Sequence, residues 1–140
     1  MIVKSGSAHW EGPIRTGKGQ VSTQSGALSE QPYGFKTRFE GAPGTNPEEL
    51  IAAAHAACFS MALSKGLEEA GVTDAVIDTT AQVSLDNSGG GFTITSSILH
   101  VTVAGKGDAA AIRAAAEAAK AGCPVSKVLA CEVGMELTIA

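Results

Sequence analysis

The chain is 140 residues long, 44% hydrophobic and 17% charged, which suits one globular domain spanning 1–140 with one core and argues against disorder. Ten basic against fourteen acidic residues give a net charge of −4, so there is no basic field to hold a phosphate backbone, and nucleic acid is not expected as a partner. The start, Met1-Ile2-Val3-Lys4-Ser5-Gly6, lacks the apolar run of a signal peptide. The most apolar stretch is interrupted by His55, Lys65, Glu68 and Glu69, so the expectation is a cytoplasmic protein without a membrane span. Aromatic residues make up only 4% while alanine and glycine abound, so burial is expected to be completed by a partner subunit.

Residues 3–11 and 19–25 alternate weakly between glycines, which predicts a short antiparallel meander, and 35–40 is a further strand candidate. The run Gly41–Glu49 reads as a loop leading into a helix, with Thr45 or Asn46 as cap, Pro47 in the first turn and two early carboxylates. That helix should reach about Ala70 and stop at Gly71. Residues 76–86 and 92–103 alternate strongly around Asp86–Gly91, a hairpin. A second alanine-rich helix covers 108–121, breaks at Gly122-Cys123-Pro124 and resumes to Ala130, before a last strand over 132–139.

Cys58 sits within the first helix and Cys123 at the break of the second. Outside a secretory setting a cysteine pair is more often catalytic or metal-binding than structural. A thiol attacks an electrophile as the thiolate, and an ordinary cysteine with a pKa of about 8.5 is mostly protonated at neutral pH. Mid-helix Cys58 gains nothing from its own helix dipole, so a nearby cation is required. Arg38 suits that role better than the lysines, because a guanidinium stays charged when desolvated and offers several donors in one plane. Spacing alone favours a packing role for Cys58, since Leu50, Ala54, Cys58 and Met61 form a helical stripe. A zinc site of His55, Cys58, Cys123 and Cys131 is disfavoured, because zinc motifs pair their ligands in short loops. Cys131 reads as a buried thiol of the last strand.

Four blocks, Tyr33–Gly41, Gly44–Leu50, Ala53–Ala62 and Ala121–Ser126, closely resemble the OsmC/Ohr family and occur in its order along nearly the whole chain. The resemblance implies an α+β fold: an intertwined homodimer with antiparallel sheets and two main helices, the central one carrying the reactive cysteine. It also implies a peroxidase that reduces hydroperoxides. In that pattern Cys58 attacks the peroxide and becomes a sulfenic acid, Cys123 resolves it as a disulfide, and an Arg–Glu pair, matched by Arg38 and Glu48, supports the attack. Arg15 is the weaker alternative to Arg38. No cofactor or metal is implied, and the disulfide would be reopened by an external dithiol of dihydrolipoyl type. Phe35, Phe39, Phe59 and Met61 would supply apolar walls favouring organic hydroperoxides. A redox sensor or stress adaptor, oxidised once per chain, is the alternative reading.

If Glu48 and Cys58 both serve the site, helix geometry matters. Ten residues of α-helix separate their backbones by about 15 Å and roughly 80° of rotation. A glutamate does not span that distance, so Glu48 is expected to enter from the other chain of a two-fold dimer, giving shared active sites.

Overall fold

A computed structural model describes residues 1–140 and divides them into two compact units, Met1–Leu50 and Ile51–Ala140. The N-terminal unit holds strands β1 (Gly6–Glu11), β2 (Lys18–Thr23) and β3 (Gln31–Tyr33), paired antiparallel in the order β1-β2-β3. Trp10 and Tyr33 close over the middle strand with ring centroids 5.7 Å apart. Gly19 makes this possible, because a Cβ there would fall 2.5 Å from the Tyr33 ring and 2.7 Å from that of Trp10.

The segment expected to add a strand at 35–40 is instead the short helix α1 (Phe35–Phe39). Phe35, Thr37 and Phe39 satisfy a period of two, but Phe35 and Phe39 equally stand one helical turn apart, and their rings pack at 4.9 Å. Thr37 decides between the two. Its hydroxyl accepts from the Gly34 amide at 2.8 Å and donates to the Gly34 carbonyl at 3.0 Å, closing a turn that a strand could not form.

Helix α2 (Pro47–Glu69) begins in the first unit and continues into the second. Asn46 is its cap: the Asn46 Oδ1 accepts from the Glu49 amide at 2.8 Å, while Asn46 Nδ2 donates to the Glu49 carboxylate at 2.9 Å. Gly71, with φ of 76°, ends it in the left-handed conformation that favours glycine.

In the C-terminal unit, β4 (Thr73–Asp86) and β5 (Thr93–Lys106) form the expected hairpin. Helices α3 (Ala109–Gly122) and α4 (Pro124–Val128) then lead to β6 (Glu132–Ile139), which pairs with β5. The expectation of antiparallel sheets needs correction here, since β6 runs parallel to β5. A parallel neighbour requires a long crossover, and α3 with α4 supplies it.

The core of this unit combines Phe59, Leu63 and Leu67 of α2, Leu99, Val101 and Val103 of β5, and Ile112, Ala116 and Ala119 of α3. Strand periodicity puts Ser97 on the same inward face as Leu99, Val101 and Val103, and four-residue helical spacing aligns His55, Phe59, Leu63 and Leu67. The stripe through Leu50, Ala54, Cys58 and Met61 is therefore not the buried one. Ala54 and Met61 are exposed, and Cys58 lies partly buried at the edge of the core. The length and apolarity of α2 would suit a membrane span by composition, but Phe59, Leu63 and Leu67 make it the core helix of this unit. Truncating Leu63 to alanine should cost about 2–5 kcal/mol.

Candidate functional site

Cys58 and Cys123 meet in the C-terminal unit. Both are free thiols, and their side chains are in hydrogen-bond contact. Cys123 ends α3 and caps α4: its amide donates to the Ala119 carbonyl at 2.9 Å, and its extended backbone (φ −58°, ψ 131°) is the conformation that a following proline imposes. Pro124 then opens α4, and the Ser126 amide donates to the Cys123 Sγ at 3.5 Å. The Val125 amide donates to both sulfurs. Accessibility separates the two thiols, for Cys123 is fully buried and Cys58 is partly exposed.

Their acidities are pushed apart. Burial, the Cys123 hydrogen bond and the negative charge of Cys123 raise the Cys58 thiol above its ordinary value, and the Val125 amide offsets this only in part. Burial also opposes ionisation of Cys123, yet the hydrogen bonds from Cys58, the Ser126 amide and hydroxyl, and the Val125 amide bring it below the ordinary value. Of the two thiols, Cys123 is therefore the more readily ionised. This differs from the expectation that Cys58 is itself the low-pKa sulfur. Within the C-terminal unit its electrostatic neighbours are Cys123 and the Val125 amide, with no cation to reverse the effect of burial.

Behind Cys123 lies a polar chain that sequence reasoning did not resolve. His55 is fully buried, its Nδ1 2.6 Å from Ser97 Oγ and its Nε2 2.8 Å from Ser126 Oγ. Burial lowers the His55 pKa and keeps the ring neutral. Both ring nitrogens are engaged by serines, so His55 has no free nitrogen for a metal. Ser97 and Ser126 left weak marks in the sequence. Ser97 is the polar residue in the apolar phase of β5, and Ser126 stands one helical turn after the cysteine that precedes Pro124.

Arg38 and Glu48 meet in the N-terminal unit. Arg38 Nη2 donates to Glu48 Oε1 at 2.6 Å, and Nε donates to Oε1 at 3.0 Å and to Oε2 at 3.2 Å. The Glu48 side chain is only 11% exposed and that of Arg38 33%, so the carboxylate holds the guanidinium in a fixed, partly desolvated orientation. Arg38 lies over the Phe39 ring at 5.5 Å, and Arg15 lies over Phe35 at 5.0 Å; the two arginines thus flank the packed phenylalanine pair. Only Arg38 is paired with Glu48. A cavity of about 840 Å³ in this unit, lined by Arg15, Tyr33 and Phe35 among others, contains none of the cysteines.

Two further residues depart from expectation. Phe59 is wholly buried in the core and cannot form the wall of an open site. Cys131 precedes β6 rather than lying within it, and is partly exposed. No group of three or more His, Cys, Asp or Glu side chains is arranged to hold a metal ion.

Residues 39–138 match the family model described as OsmC-like protein. The chain is 61% identical to peroxiredoxin OsmC of Escherichia coli K12 over 136 residues, covering 96% of this chain and 95% of that protein. It superposes on the organic hydroperoxide resistance protein OsmC of Legionella pneumophila with a TM-score of 0.74 and 25% identity, covering 100% and 98% of the two chains. The organic hydroperoxide resistance protein OhrB of Bacillus subtilis superposes with a TM-score of 0.68 and 29% identity, covering 97% and 98%. By sequence and by fold, the chain belongs to the OsmC family.

Proposed function

We propose that the protein is a two-cysteine peroxidase that reduces hydroperoxides, organic ones preferentially, to alcohols. The observation that carries this reading is the contact between a partly exposed Cys58 and a buried Cys123, both reduced. The similarity to a peroxiredoxin and to hydroperoxide resistance proteins supports the same chemistry.

Cys58 is the attacking sulfur because a peroxide can reach it. In the form with Cys123 ionised, the Cys58 proton passes to the Cys123 sulfur as Cys58 attacks the distal peroxide oxygen. An S–O bond forms, the O–O bond breaks, and the departing alkoxide recovers a proton from Cys123 to leave as alcohol. The restored Cys123 thiolate then attacks the Cys58 sulfenic sulfur. The S–S bond forms, the S–O bond breaks, and hydroxide leaves as water after taking one proton from solvent. An external dithiol, for which a dihydrolipoyl group is the proposed type, exchanges with the Cys58–Cys123 disulfide and is itself oxidised. This cycle draws on no metal or bound cofactor, and a reducing cytoplasm would sustain it.

Arg38 supplies the cation: its guanidinium, oriented by Glu48, stabilises the thiolate and the peroxide oxygens as charge develops. The Phe35–Phe39 pair provides the apolar contact for an organic substituent. Because Glu48 and Cys58 stand ten residues apart on α2, the Arg38–Glu48 pair is assigned to the partner chain of a homodimer, and each site is shared.

Steady-state turnover of an alkyl hydroperoxide and of hydrogen peroxide, each with dihydrolipoamide and with a monothiol, tests the reading. Many turnovers per chain, fastest with the alkyl substrate and the dithiol, are expected. Consumption of one equivalent and no more would replace the enzyme with a redox sensor.

A further inference from the structure

We propose that His55 is a positioning residue for Cys123: acting through Ser126, it aims two hydrogen-bond donors at the Cys123 sulfur and so makes Cys123 the sulfur that closes the disulfide. The proposal deepens the two-cysteine reading above and rests on it for its role in turnover.

Counting protons leaves two directions for these hydrogen bonds. Ser97, fully buried, has one hydroxyl proton, and its Oγ lies 2.6 Å from His55 Nδ1. If Ser97 donates to Nδ1, the ring carries its proton on Nε2 and donates to Ser126 Oγ across 2.8 Å. The Ser126 hydroxyl proton is then free to point at Cys123, beside the Ser126 amide that already donates to that sulfur at 3.5 Å. In the opposite polarity Ser126 would donate to His55 and have no hydroxyl proton left for sulfur. A sulfur that already accepts from the Ser126 and Val125 amides favours the first arrangement, a one-way chain Ser97→His55→Ser126→Cys123.

His55 holds this polarity without itself titrating near neutrality, since burial keeps it neutral. It acts by orientation rather than as an acid or base. The titratable group in contact with Cys123 is Cys58 on α2, and His55 is linked to it only through Ser126. Loss of His55 would release the Ser126 hydroxyl to rotate, even with Ser126 itself unchanged.

The test has two arms, of which the first needs no peroxide. In a Cys131→Ser background, the reduced protein is titrated by the ultraviolet absorbance of its thiolates, and disulfide closure after one equivalent of alkyl hydroperoxide is followed separately by quenched mass spectrometry. His55→Phe should raise the Cys123 midpoint, identified as the thiolate midpoint that persists in a Cys58→Ser chain, by about one pH unit, and slow closure roughly tenfold below that midpoint. Ser126→Ala should give the same shift, the double variant no more than either single one, and His55→Gln, which restores a donor near the Nε2 position, should return most of the original value. Should His55→Phe fail to fold, Ser126→Ala and His55→Gln decide the matter. An unshifted Ser126→Ala midpoint, additive shifts, or a His55→Gln titration displaced as far as that of Ser126→Ala would overturn the proposal. Failure of the wild type to form any disulfide with peroxide, while the titrations behave as stated, would instead sink the peroxidase reading and leave the His55 assignment standing.

Discussion

The Cys58 and Cys123 side chains are in hydrogen-bond contact, and their acidities are displaced in opposite directions, upward for the more exposed Cys58 and downward for the buried Cys123. The buried partner is therefore the better acceptor in the resting state, although the exposed partner is the one a peroxide can reach. In the proposed cycle this division suits both steps. Cys123 takes the proton that Cys58 must lose, and then attacks the sulfenic acid that results.

Arg38→Met should leave the fold intact and reduce peroxide turnover on the order of a hundredfold, because it removes the donors proposed to meet developing charge. Glu48→Gln should act in the same direction by loosening the guanidinium. Stopped-flow oxidation of Cys58 checks both. Arg15→Met, whose side chain lies over Phe35 and is not the partner of Glu48, should affect the rate far less. The reverse ranking would transfer the role to Arg15.

Sharing of sites between chains is tested by complementation. Cys58→Ser and Glu48→Gln chains, each of low activity alone, are mixed under conditions that exchange subunits. If Glu48 serves the partner's Cys58, one site of the mixed dimer keeps both residues, and activity should return to about half that of the wild type per mixed dimer, or about a quarter for an equimolar, randomly exchanged mixture. Heterodimers that form and remain inactive would place the site within one chain.

Acid should destabilise the protein through His55. Its folded pKa is depressed below the ordinary value of 6.5, so the unfolded chain binds the proton more readily. The contribution is full above about pH 6.5 and is lost as the pH falls from there through the lower folded value. Urea midpoints measured from pH 8 to pH 5 should decline for the wild type, and decline less for His55→Gln. Equal slopes would count against a neutral buried ring.

Local order was legible where one signal dominated. The Asn46 cap, Pro47 and Gly71 bounded α2, and the alternation on either side of Asp86–Gly91 marked the β4–β5 hairpin. Where two periods coincided, the local pattern misled. Phe35, Thr37 and Phe39 fit a strand until the Thr37 hydroxyl closes on Gly34, and the Cys58 stripe looked buried until His55, Phe59, Leu63 and Leu67 took the inward face. The parallel placement of β6 depends on where a crossover lands, which no local pattern records. The family blocks drew attention to Cys58, Cys123, Arg38 and Glu48, but the chain from Ser97 to Ser126 joins residues far apart in sequence and becomes visible only when the strand meets the helices.

Exposure to one equivalent of alkyl hydroperoxide, followed by blocking of free thiols and peptide mapping, tests the division of labour between the cysteines most directly. The wild type should yield a Cys58–Cys123 disulfide with Cys131 unmodified, and Cys123→Ser should stop at a sulfenic or over-oxidised Cys58. Cys58→Ser should lose turnover by about three orders of magnitude or more, with Cys131→Ser close to wild type. Oxidation found on Cys131 while Cys58 stays reduced, or a Cys58→Ser chain that still consumes peroxide at the wild-type rate, would contradict the assignment of Cys58 as the attacking sulfur.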